Sequence, residues 1–450
     1  MLLIISVLFP VIGGLILPLF NKIQNRKIKL SFVVLIQAIS TFLGLMIIFG
    51  GNVSTGTFTF APGLSIGFTA DSLAKFFMAL TVIGWALVTL YACVYMKHEE
   101  NEMRFFLFMF LSEGAMIGAS LSQNLISMYV FYEMVTLFSM PLVLHSLSKE
   151  SINAAKKYLY YSIAGAFLAL FGIFVLATNT DTLSFVSGNG VNVNPLVLTG
   201  VFTMLLGFGA KAGLFPMHGW LPTAHPVAPA PASALLSGLI AKAGVLAIIR
   251  TVFYVVGADT LVGTWVQNVA LIFALLTVLM GSMMAYLEKG FKKRLAFSTV
   301  SQISYALVGL FLCAGAVIFL YGKTEIKDLD GLGKKMPVTF TCFTILSLSL
   351  IGIPPMGGFY SKWYLATASL EATEIGALSW IAPIILLISA ILTAAYLLGI
   401  SIKAFFGKEE KEVDKKKEPL LMVIPIIVLT VISVVGGFFS VITNHFLLSV

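Results

Sequence analysis

Five ionisable side chains stand alone inside apolar runs: Glu113, Glu133, Lys211, Lys242 and Lys362. Glu133 lies near the middle of "SMYVFYEMVTLFSMPLVLH", with no base within helical reach on its own run. Lys211 is equally isolated. Lys242 follows about three helical turns of "APASALLSGLIAKAGVLAII". Placing such a group in mid-membrane costs roughly 2.5–3.5 kcal/mol on insertion scales. Two reasons for keeping them compete. They can pair and fix helix packing, or they can line an ion path. A series on successive helices favours the path; for Glu113 alone the two readings stay level. Any partner for Glu133 has to come from another helix, and Lys211 is the obvious one. A lysine taken out of water gives up its proton readily, and a carboxylate close by restores its hold. Moving Glu133 toward or away from Lys211 would then switch Lys211 between holding and releasing a proton. An arginine could not do this, because it stays charged.

The stretch "GAKAGLFPMHGWLPTAHPVAPAPAS" (209–233) surrounds Lys211 with helix breakers and two histidines, and it contains no acid. Gly209, Gly213 and Pro216 are read as a break beside Lys211. Broken helices at membrane depth persist where they line a polar cavity. His218 and His225 follow on the cytoplasmic side. They can relay protons near neutral pH, or simply be hydrogen-bonded loop residues. Pro222, Pro226, Pro229 and Pro231 stiffen the way into the next helix. A second break, "LSLIGIPPMGGFYSKWYL", precedes Lys362. Two Gly/Pro-interrupted segments, each with a lysine, suggest two related halves.

The elements that must hold these residues are membrane helices. Of 450 residues, 59% are hydrophobic and 11% charged, and mean hydropathy is +1.00. Soluble domains carry about 25% charged residues. The chain reads as an all-α polytopic membrane protein with apolar segments near 1–20, 30–50, 70–96, 104–121, 124–145, 157–178, 194–215, 231–256, 265–287, 295–321, 336–370, 379–404 and 419–444. "MLLIISVLFPVIGG" lacks a basic region and a cleavage site, so it reads as the first membrane helix. Cys93, Cys313 and Cys342 are scattered through apolar runs and read as small buried hydrophobes. The net charge of +8 fits basic cytoplasmic loops better than nucleic acid. Lys and Arg cluster after the first, fifth, ninth and twelfth segments, while 51–69, 179–194 and 257–264 have none. This places the N-terminus outside. "KEEKEVDKKKE" (408–418) reads as a solvated linker. One segment disobeys: 295–321 should end outside, yet "YGKTEIKDLDGLGKK" after it holds four lysines.

From Phe68 onward the chain resembles the antiporter-like subunit family: membrane-arm subunits of complex I, large subunits of Mrp-type sodium/proton antiporters, and their counterparts in energy-converting membrane-bound hydrogenases. The resemblance rests on "GFTADSLAKFF", "FYEMVTLFSMPLV", "AKAGLFPMHGWLPTAHPVAPAPASALLSGLIAKAG", "KKRLAFSTVSQISY" and "GIPPMGGFYSKWY". It implies a 14-helix core with inverted five-helix repeats and two broken helices. It also implies that Glu133 is the essential glutamate, Lys211 its partner on the broken seventh helix, Lys242 the relay lysine, and Lys362 the ionisable group of the broken twelfth helix. Glu113 resembles a second acid of some members. The resemblance groups the chain with the shorter members, which have no lateral helix. Members usually have an outer loop and an "NHAxxKxLLF"-like pattern where Leu310 and Phe311 here adjoin. About 30 further residues, enough for one crossing, are therefore expected at that point. Either the numbering omits them, or this is a deletion variant whose relay from Lys242 to Lys362 lacks its middle.

The expected organisation is 1–103 N-terminal helices, 104–256 first half-channel, 265–404 second half-channel, and 405–450 linker and last helix. The expected function is proton translocation within a redox-driven multi-subunit complex in the prokaryotic inner membrane. Other membrane subunits, lipid and H⁺ are the expected partners, with Na⁺ left open as a second ion and no nucleic acid. No cofactor or metal is expected in this chain, and no redox chemistry. The competing readings are one component of a multi-subunit Na⁺/H⁺ secondary antiporter, and a membrane scaffold.

Overall fold

The computed structural model describes residues 1–61, 64–185, 191, 193–408 and 415–439, so most of the charged linker and residues 440–450 lie outside it. The chain is an integral multi-pass membrane protein. Among the described residues, eleven helices are long and apolar enough to cross a membrane. The first six crossings are α1 (Leu2–Ile16), α2 (Arg26–Ile48), α3 (Ser72–Tyr95), α4 (Glu102–Leu121), α5 (Leu125–Val143) and α6 (Lys149–Ala177). A two-stranded hairpin, β1 (Phe58–Ala61) with β2 (Leu64–Ile66), lies between α2 and α3 and is the exception to the all-α expectation. Polar residues start the helices. The side chains of Asn25, Asp71, Asn124 and Ser148 each accept a backbone N–H of the helix they precede.

The seventh crossing is broken: α7 (Pro195–Ala212) ends at Gly213 and α8 (Leu221–Val227) completes the passage. Gly213 has φ +79°, a conformation that favours glycine. Of the three residues read as the break, Gly213 ends α7, while Gly209 lies inside it and accepts the N–H of Leu214 through its carbonyl. The eighth crossing joins α9 (Ala230–Leu235) to α10 (Lys242–Ile249) through a π-helical turn, Leu236–Ile240. The ninth is α11 (Trp265–Leu287).

The expected single helix over 295–321 is instead a re-entrant hairpin. α12 (Phe291–Ser301) enters, residues 302–305 turn, and α13 (Ala306–Tyr321) returns. Gly290 bridges Glu325, and the Phe291 amide bonds the Thr324 carbonyl at 2.9 Å, so both ends share one face. Leu310 and Phe311 are consecutive residues of α13, not the flanks of two separated half-helices. The Lys-rich loop after Tyr321 therefore lies beside Lys289, as its charge required, without a second crossing.

The chain continues through a short turn, α14 (Leu332–Lys335), and a second broken crossing, α15 (Pro337–Ile351) with α16 (Gly357–Glu371). Its break repeats the first: Gly352 has φ +88°, and the Ile353 amide reaches back to the Leu348 carbonyl as Leu214 does to Gly209. α17 (Leu378–Phe406) and α18 (Leu420–Phe438) complete the described chain.

One face gathers the basic loops. Arg26 pairs with Glu102 at 2.6 Å, Arg104 bonds the His145 carbonyl, Lys403 lies 3.6 Å from Asp330, and Lys416 bonds Tyr321. On the opposite face Arg250, 1% exposed, makes a two-point ion pair with Asp71 between the rings of Phe185 and Tyr254.

Candidate functional site

Lys211 occupies the last turn of α7 and is fully buried. Its Nζ donates to the Tyr132 carbonyl at 2.7 Å and to Thr136 Oγ1 at 2.6 Å, and lies 4.0 Å from the centre of the Tyr132 ring. Glu133, the next residue of α5, is close enough for the two charges to sense each other. No ion pair joins them, and Glu133 Oε1 is buried without a hydrogen-bond partner. Glycines bring α7 against α6. A Cβ at Gly207 would run into the Gly165 carbonyl, and one at Gly172 into the Gly200 carbonyl. Trp220 Nε1 satisfies the Ala210 carbonyl at 2.8 Å, and Thr277 Oγ1 accepts the Phe215 amide at 2.8 Å. The break is thus wired to its surroundings, as a buried backbone must be.

Lys242 follows the π-helical turn, a distortion frequent at functional sites. It is 8% exposed, its Nζ has no hydrogen-bond partner, and it lies 4.7 Å from the Tyr305 ring centre. Tyr305 ends the turn of the re-entrant hairpin, and its hydroxyl donates to the Leu80 carbonyl at 3.2 Å. Lys362 reaches back from α16 to carbonyls at the end of α15, those of Leu350 at 2.9 Å and Ile351 at 2.7 Å. It lines a cavity of about 300 Å³ with Gln302, Ser304, Ser361 and Ser389. Around it α16 is open, with Trp363, Tyr364 and Leu365 exposed.

The remaining expected residues divide. His225 is fully buried, stacked 4.8 Å from Phe311, with neither ring nitrogen bonded. His218 is half-buried beside Phe215, with Nδ1 unbonded. Glu113 belongs elsewhere, in a cluster with α2 and α3. Gln37 and Ser40 donate to its Oε1 at 2.9 and 2.8 Å, and Thr89 donates to Gln37 at 2.7 Å.

Sequence reasoning passed over Lys292. Buried at the start of α12, it donates to the Ala228 and Pro226 carbonyls, and its charge reaches His225. A cavity of about 340 Å³ opens there on the basic face, lined by Glu99, Pro226, Ala228, Lys292 and Glu325. Burial pushes the Glu99 carboxyl above its ordinary range, against the pull of Lys292 and His98. Lys292 was hidden among loop lysines; its only signal was its place ahead of the apolar run "LAF".

The family profile described as NADH:quinone oxidoreductase/Mrp antiporter, TM matches residues 122–321 and 307–393. The two stretches overlap around the Leu310–Phe311 junction. A relative from Desulforudis audaxviator, NADH-quinone oxidoreductase subunit N, is 29% identical over 84% of this chain and 83% of its own. An Na⁺/H⁺ antiporter subunit of Alkalihalophilus pseudofirmus is 32% identical over 96% of this chain, which spans 60% of that relative. Its 492 aligned positions hold about 432 residues of this 450-residue chain, so about 60 positions have no counterpart here. A chain of the Mrp complex from Dietzia sp. DQ12-45-1b superposes with TM-score 0.83 at 21% identity, covering 98% of this chain and 95% of that one. A chain of respiratory complex I from Thermus thermophilus gives 0.81 at 23% identity over 98% and 96%. The fold, the two broken helices and the profile match agree: this chain belongs to the NADH:quinone oxidoreductase/Mrp antiporter transmembrane family and is an antiporter-like membrane subunit.

Proposed function

We propose that this subunit moves protons across the inner membrane of a prokaryote through Glu133, Lys211, Lys242 and Lys362. His218 and His225 serve the side of the basic loops. One observation carries the reading: buried polar atoms of Glu133, His225 and Lys242 have no protein partner. An unpaired buried polar group costs about 1–3 kcal/mol, more when charged, so packing alone does not account for these three. These groups need a mobile partner, and a proton carried by water is the smallest. The basic face is assigned to the cytoplasm and the N-terminus to the outside by the distribution of Lys and Arg. Other membrane subunits surround the chain, with lipid on the remaining surface. The exposed aromatic face of α16 fits such contacts.

The drive is redox chemistry in partner subunits, as in the complex I and sulfane sulfur reductase assemblies whose chains share this fold. A second reading, Na⁺-driven exchange, draws on the 32% identity to an Na⁺/H⁺ antiporter subunit. Vesicles holding the assembled complex and a pH-sensitive dye test both. Acidification on adding an electron donor supports the first, and a response to Na⁺ alone supports the second. A response to neither, with the complex intact, overturns proton translocation.

A further inference from the structure

We propose that Tyr158 is a positioning residue of the Lys211 site: its hydroxyl holds Thr136 as an acceptor for the Lys211 ammonium, and so keeps that lysine protonated without an ion pair. The inference rests on the proton-translocating reading and assigns a residue which that reading does not use.

Tyr158 lies on α6 and is fully buried. It meets the Lys211 site in two ways. Its ring centre is 4.5 Å from that of Trp220, whose Nε1 donates to the carbonyl of Ala210, the residue before Lys211. Its hydroxyl lies 2.8 Å from Ser139 Oγ and within reach of Thr136. Thr136 Oγ1 in turn accepts from Lys211 Nζ at 2.6 Å.

Counting protons gives this series a direction. An ammonium has three donors and no acceptor, so Thr136 accepts from Lys211 and its own proton is left for the Tyr158 oxygen. Ser139 gives its one proton to the backbone, to the Val135 carbonyl at 2.6 Å. Between Ser139 and Tyr158 the phenol is therefore the donor. Every hydroxyl points away from Lys211: amine to Thr136, Thr136 to Tyr158, Tyr158 to Ser139, Ser139 to the backbone. Hydrogen bonds aligned in one direction polarise one another, and this direction suits the ammonium alone. A neutral amine would turn its lone pair to Thr136, and Thr136 would have to reverse.

The charged surroundings of Lys211 are few. Glu133 on α5 acts on both Lys211 and Tyr158, and Tyr132 presents its ring to the amine. α10, packed on α7, carries Lys242, which lies against Tyr305 instead. His218 and His225 stack on Phe215 and Phe311, and α11 presents Thr277 to the break.

The test follows dye-monitored proton transport by the assembled complex as a function of pH. Tyr158→Phe keeps the ring on Trp220 and removes only the hydroxyl. With the series cut, the Lys211 ammonium loses support and gives up its proton more readily. The pH at which transport falls off on the alkaline side should move down by about one unit. Thr136→Ser, which keeps the acceptor, should retain the wild-type profile. Lys211→Ala is measured alongside. If Lys211→Ala transports normally, the proton-translocating reading fails. If Lys211→Ala is inactive while Tyr158→Phe keeps the wild-type profile, the Tyr158 proposal alone fails. Transport that is lower at every pH with the profile unmoved would make the hydroxyl merely structural and also overturn it. If Tyr158→Phe does not assemble, Ser139→Ala decides. It frees the phenol proton to turn on Thr136 and should shift the profile the same way; an unmoved profile overturns the proposal.

Discussion

Lys211 is held by neutral groups: a carbonyl, a hydroxyl and an aromatic face. All three accept an ammonium, and none locks it there as a bonded carboxylate would. Glu133 stands one residue from the carbonyl that Lys211 grips, so its charge acts on the amine without trapping it. Replacing Glu133 or Lys211 by alanine should lower transport about tenfold or more while the complex still assembles. Lys211→Arg should be as inactive, because arginine cannot release its proton; dye-monitored transport at the wild-type rate in any of the three would refute the assignment. Arg250 is a different case. Its ion pair with Asp71 ties the end of α10 to the start of α3, away from the lysines. Arg250→Ala leaves Asp71 without its partner and should destabilise the protein by about 3 kcal/mol, read as a lower melting temperature. Each complex that still forms should keep its transport rate, and a specific loss of transport would put Arg250 on the path.

Between α6 and α7 the decisive feature is a glycine seam: Gly165 and Gly172 face Gly207 and Gly200. Close backbone approach of this kind substitutes for a hydrophobic driving force between membrane helices. Gly172→Leu should push α7 away and prevent the subunit from accumulating, whereas Gly399→Ala, which meets open space, should be neutral; immunoblots of membranes distinguish the two, and normal levels of the Gly172 variant would contradict the seam. Both helix breaks were legible because Gly and Pro interrupt apolar runs at membrane depth. Glu133, Lys211, Lys242 and Lys362 were legible because a charge in such a run is costly. The hairpin was not. A largely apolar run of 27 residues, 295–321, suits one long crossing or two half-crossings, and hydropathy carries no direction. Two signs showed that something was wrong: the lysines after it, and the resemblance, which expects an outer loop where Leu310 and Phe311 adjoin. Gln302, Ser304 and Tyr305 gave no signal, because an amide or hydroxyl in an apolar helix is too common to stand out. Glu113 was legible as an unusual charge, but only packing shows that it faces Gln37 and Ser40, apart from the other four.

For the whole molecule, the hairpin keeps the count of crossings even between Met1 and Phe439, so both lie on the face away from the basic loops. Lys327→Cys and Lys293→Cys should be labelled by an impermeant thiol reagent from the same side, and Thr260→Cys from the other. Labelling of Lys327→Cys and Thr260→Cys from one side would mean that 291–321 crosses after all. The same hairpin constrains how the protein is made. Its helices have 11 and 16 residues, lengths of about 16 and 24 Å against a hydrocarbon core of about 30 Å. Neither can be released sideways from the insertion machinery as a finished span, and its polar turn is poorly suited to lipid. It has to wait at the basic face until α15 and α17, synthesised later, close the groove it fills. A chain stopped after Lys335 should therefore leave 291–321 open to protease added at that face, while the full chain protects it. Biogenesis of this subunit thus runs against the order of its sequence at one point.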